Sequence, residues 1–172
     1  MKKILFAFAI TSLSLVATKS NAQVGRNTLG VGFEVGVPMS DLNKTQKIGI
    51  GGTAEFAHYI GAATALTLTA GYISFSGDEI SSFKYPAINF IPIKAGIRYA
   101  IAPSLYLEPQ LGYTSINTPN SNTKATGGFT YAAKAGYMIT PSLDLSARYE
   151  GISKENSNLN FLGFRLGYNF NL

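Results

Sequence analysis

Apolar and polar side chains alternate residue by residue over most of the chain that follows residue 28. Alternation with a period of two is typical of a β-strand whose two faces meet different environments. The segments that show it are 29–37, 48–56, 66–72, 91–101, 105–113, 129–137, 143–150 and 162–172. The pattern therefore predicts an all-β fold of eight strands that follow one another along the chain.

The connections between these predicted strands alternate in length. The breaks after the second, fourth and sixth strands are short: 59–63, 102–104 and 140–142. The other connections are longer and polar: 38–47, 76–86, 117–126 and 151–158. Short turns at one end and long loops at the other are typical of antiparallel up-and-down transmembrane barrels, whose tilted strands need about 9–11 residues to cross a bilayer.

Two prolines fall inside the predicted strands. Pro109 has no N–H to donate to a strand ladder, and a closed barrel has no free edge where the missing bond would be harmless. We therefore expect a bulge or a local distortion at Pro109. Pro92 could cause a second one around Phe90 and Ile91.

Charged residues on the polar face of the strands are balanced in sign. The acidic ones are Glu34, Glu55, Glu108, Asp144 and Glu150, and the basic ones are Lys94, Arg98, Lys134, Arg148 and Arg165. The same face carries many glycines, which weaken strands and need the crowded interior of an eight-stranded barrel to explain them. Both features indicate that the polar face lines the lumen, where the charges form a packed ion-pair network.

Aromatic residues on the apolar face fall near the predicted strand ends. Those toward the long-loop end are Tyr72, Tyr113, Tyr131 and Tyr149, and those toward the short-turn end are Tyr99, Tyr137, Tyr168 and Phe170. Two aromatic girdles around an apolar band are typical of transmembrane barrels. A soluble periplasmic barrel of the lipocalin kind, with the aromatic residues in its core and a lipophilic ligand, stays open as an alternative.

The first residues of the chain have the features of a secretory signal peptide. Two lysines precede an apolar stretch at 4–16, and Ser20-Asn21-Ala22 supplies the small residues that a signal peptidase reads. We expect residues 1–22 to be removed and residues 23–172 to form one barrel domain. Removal takes away three lysines, so the net charge falls from +5 to +2, which leaves no basic stripe for nucleic acid.

On these features the chain resembles the small eight-stranded outer-membrane barrels of Gram-negative bacteria, of the OmpA, OmpX and opacity-protein type. Further marks of the resemblance are the Gly-Tyr pairs at 71–72, 112–113, 136–137 and 167–168. The resemblance implies an outer-membrane location, periplasmic termini, extracellular long loops, and contact with outer-membrane lipid and lipopolysaccharide. It also implies a monomer whose closing strand is read by the barrel-insertion machinery, although the chain ends in Asn171-Leu172 where relatives usually have a terminal aromatic residue.

Few residues are available for catalysis. The chain has no cysteine, which excludes disulfides, cysteine nucleophiles and cysteine-bound zinc. Its single histidine, His58, falls at the short-turn end, whereas the lipid-A deacylases among the similar barrels need a histidine and a serine near the outer end. We therefore expect an interfacial His58, no enzymatic activity, no cofactor and no metal site.

The loop at 76–86 differs from the other polar loops because it carries Ile80, Phe83 and Tyr85. These residues are the best candidate for a contact patch, unless they pack over the barrel mouth. The function predicted from the sequence is a non-enzymatic outer-membrane barrel with a charge-plugged lumen, which supports envelope integrity or surface interaction through four extracellular loops. A narrow porin-like channel is the alternative within the same fold.

Overall fold

The computed structural model describes residues 25–80, 83–119, 125–154 and 157–172, so the predicted signal peptide at 1–22 lies outside the described residues. The described residues form ten strands and one short 3₁₀ helix. The strands are β1 (Asn27–Met39), β2 (Gln46–Tyr59), β3 (Thr64–Gly77), β4 (Glu79–Ile80), β5 (Phe83–Lys84), β6 (Ile88–Ala102), β7 (Leu105–Asn117), β8 (Thr126–Met138), β9 (Leu143–Lys154) and β10 (Ser157–Asn171). The 3₁₀ helix is Leu42–Lys44, between β1 and β2.

Eight of the strands in the described part of the chain close into an antiparallel barrel. Each pairs with its neighbours in chain order, and β10 returns to pair with β1, while β4 and β5 form a separate small hairpin. Closure leaves no unpaired strand edge, which a bilayer requires because it offers no water to an unpaired N–H or C=O. The predicted all-β, eight-stranded up-and-down barrel is confirmed. No helix among the described residues has the length and apolar character needed to cross a membrane.

The strands are longer than the alternation predicts, chiefly at the end with the long connections, which we call the upper end. The predicted loop at 151–158 is wrong there, because β9 and β10 stay paired as far as Lys154 and Ser157. Polar residues in this stretch suggested a loop by composition. Composition does not distinguish a loop from a strand that has left the hydrocarbon and faces water, where polar outward residues are expected.

Of the bulge or local distortion expected at Pro109, the structure has a local distortion and no bulge. Pro109 stays in register with Ala133 on β8, and on the β6 side pairing lapses between 96 and 99 without a shift. Pro92 behaves in the same way, with a lapse on the β3 side between 70 and 73. Losing one backbone hydrogen bond at the proline, which has no N–H to donate, distorts the sheet less than a bulge, which inserts an extra residue into one strand. The register shifts that the described strands do contain lie near the upper end of β2 and near the opposite end of β6, beside the short turn.

The apolar face of the strands points out of the barrel and the polar face points in. Large apolar side chains that are exposed on the outer wall include Val31, Phe33, Ile50, Leu68, Ile93, Leu107, Leu111, Leu145, Phe164 and Leu166. In water such a wall would expose far more contiguous apolar surface than a soluble monomer carries, whereas in a bilayer it is covered by lipid. The soluble lipocalin-like alternative is therefore wrong.

Two glycines on opposite faces offer a matched test of this assignment. A side chain added at Gly136 would point into the lumen and meet the ring of Tyr106, whose Cζ lies 2.1 Å from the position of the added Cβ. A side chain added at Gly52 would point outward, where the nearest atom, the Gly32 carbonyl oxygen, lies 3.5 Å away. We expect Gly136→Leu to lower the free energy of unfolding in lipid vesicles by about 1–3 kcal/mol through overpacking.

Gly52→Leu is the control, and it should change the free energy of unfolding by no more than about 0.5 kcal/mol, since it adds apolar surface toward lipid. Denaturant titrations of both variants measure the difference. A larger loss for Gly52→Leu than for Gly136→Leu would contradict the assignment of the two faces.

Candidate functional site

The predicted lumen charges lie inside the barrel and are buried, the most exposed being Arg98 at 7%. Their positions on alternate residues of seven strands point them at one another across the lumen. They are grouped in three clusters, which we call the upper, middle and lower clusters after their order along the barrel. The sequence indicated one network, and the structure separates it into these groups.

The middle cluster contains Glu55, Arg98, Glu108 and Lys134. The Nε of Arg98 lies 2.8 Å from Oε2 of Glu108, and Nζ of Lys134 lies 3.0 Å from the same oxygen. Both cations also pair with Glu55. The hydroxyl of Thr67 donates a hydrogen bond of 3.0 Å to Oε1 of Glu108, so this carboxylate has partners on both oxygens. The cluster joins strands from opposite sides of the barrel.

The upper cluster contains Glu34, Lys94, Arg148 and Glu150. The Nε of Arg148 donates to Oε2 of Glu150 at 2.6 Å, and Lys94 donates to the same oxygen. Arg148 also forms an ion pair with Glu34, although the geometry of that contact is not that of a hydrogen bond. Glu150 is therefore the common anion of this cluster, and it is the carboxylate with which Lys94 pairs.

The lower cluster is centred on Asp144. Nη1 of Arg165 lies 3.0 Å from its Oδ1 and 3.1 Å from its Oδ2. The hydroxyl of Tyr106 donates to Oδ2 at 2.9 Å, and Nδ2 of Asn169 donates to Oδ1 at 3.0 Å. Arg165 also donates from Nε to the hydroxyl of Thr53 at 2.9 Å. Both carboxylate oxygens of Asp144 thus have donors.

Each cluster is electrically neutral within itself. The upper and middle clusters each combine two acids with two bases, and the lower cluster combines one of each. Burying charges is tolerable only when they are paired and hydrogen-bonded, since an unpaired buried ion loses its hydration without compensation. Each cluster therefore contains the charges that balance it.

An apolar cluster fills the lumen above the charges, and the sequence analysis did not identify it. Its members, which we call the apolar cap, are Leu42, Ile73, Phe75, Phe90, Ile116, Ile152 and Phe161. The rings of Phe75 and Phe90 have centroids 5.1 Å apart, and those of Phe75 and Phe161 are 5.3 Å apart. Leu42 comes from the 3₁₀ helix and is buried, so the first loop contributes to the closure.

A signal for the apolar cap was present in the sequence. Ile73 and Phe75 continue the inward-facing series of β3, and Phe161 continues that of β10. The predicted strands were too short to include these positions, which lie between the predicted strands at 66–72 and 162–172 and the neighbouring predicted loops. The guanidinium of Arg148 lies 5.5 Å from the ring centroid of Phe161, so the cap rests directly on the upper cluster.

The aromatic residues predicted as girdles face outward. Tyr72, Tyr113, Tyr131 and Tyr149 lie four or five residues inside the upper strand ends at Gly77, Asn117, Thr126 and Lys154. Beyond three of them the outward residues become polar, as at Ser74, Ser76, Ser115, Asn117 and Ser153. At the other end, which we call the lower end, Tyr137, Tyr168 and Phe170 are exposed, and Tyr99 is half-buried. The barrel therefore extends past the upper girdle as a polar-walled rim around the apolar cap.

The candidate contact loop is tied to the first loop of the barrel. The N–H of Asp78 donates to the carbonyl of Thr45 at 2.8 Å, and Lys47 lies 3.0 Å from the Asp78 carboxylate. The backbones of β4 and β5 pair beyond this point, but the side chains of Ile80 and Phe83 lie outside the described residues. Tyr85 is half-buried, and its N–H donates to the carbonyl of Asp78 at 2.9 Å.

His58 lies at the lower end on the outer wall. It is exposed, and its Nδ1 shares a hydrogen bond of 2.7 Å with Oδ1 of Asn27. No group of three or more His, Cys, Asp or Glu side chains in the described ranges is placed to hold a metal ion. The structure thus puts His58 on the outside of the barrel near its lower end, apart from the lumen clusters.

A closed antiparallel barrel with an apolar outer wall defines the class of transmembrane β-barrels. The family model of the outer membrane protein beta-barrel domain matches residues 5–170. The chain belongs to this family, and the protein is an outer-membrane β-barrel protein. No curated protein matches its sequence.

Solved outer-membrane barrels have the same fold at low sequence identity. Ail, the attachment invasion locus protein of Yersinia pestis, has a TM-score of 0.63 and 15% identity, over 86% of this chain and 100% of Ail. The N-terminal barrel domain of Pseudomonas aeruginosa OprF has a TM-score of 0.58 and 15% identity, over 85% and 99%. Neisserial surface protein A has a TM-score of 0.53 and 17% identity, over 83% and 95%. These likenesses establish the shared barrel fold.

Proposed function

We propose that this protein is a non-enzymatic outer-membrane barrel with a closed lumen, which supports envelope integrity or surface interaction through its four upper loops. The observation that carries the proposal is that two chemically different groups of side chains, one charged and one apolar, occupy the lumen. Three neutral charge clusters occupy its middle and lower parts, and the apolar cap occupies its upper part. An eight-stranded barrel has an interior just wide enough for such side chains.

The two layers oppose solute passage in different ways. An ion that entered the charged region would have to separate pairs such as Lys94–Glu150, whose groups would then be buried without partners. An ion that reached the cap would lose its hydration among phenylalanine rings, which is the basis of hydrophobic gating in channels. Opening one layer would leave the other in place. The narrow porin-like channel is therefore the less favoured function.

The proposed orientation places both termini and the short turns in the periplasm and the long connections outside. An even number of strands brings the two ends of the barrel domain to one side, and long extracellular loops are usual for this class. Outer-membrane lipid and lipopolysaccharide would then contact the outer wall, with the polar-walled rim above the upper girdle. The barrel-insertion machinery would read β10, and the mature protein would be a monomer.

The hairpin of β4 and β5 is the candidate contact site for the proposed surface interaction. It directly follows Asp78, whose hydrogen bond to Thr45 and ion pair with Lys47 join it to the first loop. The barrel therefore helps to position the hairpin. Binding residues are often found on loops that a rigid scaffold positions. Ile80, Phe83 and Tyr85 remain the candidate contact residues of this hairpin.

We expect no sustained conductance when the purified, refolded protein is added to planar lipid bilayers. The reason is that a solute would have to cross both the neutral charge clusters and the apolar cap. A sample that shifts in gel mobility on boiling provides the required folded material, and a large porin in the same bilayer provides the positive control. Steady ohmic steps from the folded sample would overturn the closed-lumen proposal and favour a channel.

A further inference from the structure

A cavity of about 520 Å³ opens at the lower end of the barrel, inside the ring of short turns. Its volume lies in the range of about 300–1,000 Å³ that is typical of small-molecule sites. Arg98 and Tyr106 line its inner end, and the guanidinium of Arg98 lies 4.3 Å from the centroid of the Tyr106 ring. The cavity is closed above by the middle and lower clusters, so it is a blind pocket on the barrel axis.

The polar groups that line this cavity are cationic or neutral. Among its described lining residues are two arginines, two tyrosines, a serine and a threonine, with no carboxylate. The charge of Arg98 is balanced within the middle cluster by its pairs with Glu55 and Glu108. A positive charge that is not balanced therefore has to come from the other arginine, Arg26.

Arg26 has no anionic partner in the part of the chain that the structure describes. None of the ion pairs among those residues includes it, and its Nε is buried without a hydrogen-bond partner there. Its guanidinium stacks over the ring of Tyr59, with Cζ 4.5 Å from the centroid. Stacking holds the planar fork of an arginine in place, so less rotamer freedom is lost when it binds an anion.

The remaining lining of the cavity is mostly apolar. It includes Ala63, Ala100, Ala102, Leu105, Met138 and Ile139. A site with an apolar wall and a few convergent polar groups suits a ligand that has one polar end and one apolar part. Inorganic phosphate alone would satisfy Arg26 but would leave this wall facing water.

We propose that the lower cavity binds a small organic anion, whose phosphate or carboxylate oxygens accept hydrogen bonds from Arg26 and whose apolar body lies against Ala100 and Met138. The ligand is a solute that enters along the barrel axis, since Ala100 and Met138 lie on the lumen face of their strands. The site lies in the lower mouth of the barrel, whichever compartment that mouth faces.

Phenyl phosphate is a suitable probe, because it joins a phosphate to an apolar ring and stays in water. With the full barrel in phosphatidylcholine nanodiscs, titration calorimetry should show saturable one-to-one binding. Arg26→Gln should weaken binding about tenfold, the effect expected for one charge-assisted contact. Lys47→Gln is the matched control, since Lys47 is a cation of the upper end paired with Asp78, and it should bind as the wild type does.

Arg26 precedes β1 and takes part in no lumen cluster, so its variant should fold, and the gel shift on boiling checks this. Non-saturable binding, or equal affinity of Arg26→Gln and the wild type, would overturn the proposal. Nanodiscs that contain phosphatidylglycerol distinguish the two sources of an anion. Unchanged affinity there supports a soluble ligand, and lost affinity would show that a lipid headgroup fills the site and would overturn the assignment to a solute.

Discussion

Replacing Leu166 with arginine should lower the free energy of unfolding in lipid vesicles by about 2–4 kcal/mol, the cost of a cation near the midplane of a bilayer. Leu166 is 48% exposed on the outer wall between the two girdles, and its neighbours across the sheet are Leu145 and Phe33. Leu68 occupies the same kind of position on β3, and Leu68→Arg should have a similar effect. Urea titration of refolded protein in vesicles measures both.

Ile101→Arg is the matched control for this prediction. Ile101 also faces outward, but it lies at the lower end of β6, where a cation reaches the interface and costs about 0–1 kcal/mol. The depth of the position is thus the variable under test. Equal losses for Leu166→Arg and Ile101→Arg would show that the wall around Leu166 does not lie in hydrocarbon.

Replacing Glu150 with glutamine should lower the free energy of unfolding by about 3–5 kcal/mol, because it leaves buried cations without their anion. Lys94 has its ion pair with Glu150, and Arg148 would keep only Glu34. Glutamine preserves the shape of the side chain, so the loss reports charge and not volume. Glu79→Gln, at an exposed position of the loop hairpin, is the control and should be close to neutral.

A second change separates pairing from packing in the same cluster. Lys94→Met combined with Glu150→Gln removes one charge of each sign, and the remaining Arg148 and Glu34 still balance. The double variant should therefore be more stable than Glu150→Gln alone, since no buried cation is left without an anion. If the double variant is the less stable of the two, the upper cluster is not held together by charge pairing.

The alternation in the sequence was sufficient to predict the strands and their two faces. Leu145 and Glu150 show why, since apolar and polar residues keep to odd and even positions from Leu143 to Glu150 of β9, and only a two-sided environment requires that. Sequence periodicity is local, however. The division of the charges into three clusters depends on the register and tilt of strands distant in sequence, such as β2 and β8 at the contact of Glu55 with Lys134.

Other features could not be predicted because the sequence signal was ambiguous. Phe75 and Phe83 both lie beyond the predicted end of the third strand, and the sequence does not show which of them points into the lumen. Phe75 belongs to the apolar cap because β3 extends as far as Gly77. Pro109 was expected to cause a bulge or a local distortion, and the sequence did not say which; the structure has a lapse in pairing on one side. The cavity that contains Arg26 arises from turns whose residues are unremarkable in sequence.

The central claim, an outer-membrane barrel whose long loops face outward, is tested most directly by labelling introduced cysteines on intact cells. The chain has no cysteine of its own, so each variant carries one reactive thiol. Asn43→Cys places it in the exposed first loop, and Pro103→Cys places it in an exposed lower turn. With a polyethylene-glycol maleimide too large to cross the outer membrane, Asn43→Cys should react on intact cells and Pro103→Cys only after lysis. Labelling of Pro103→Cys but not of Asn43→Cys on intact cells would contradict the account.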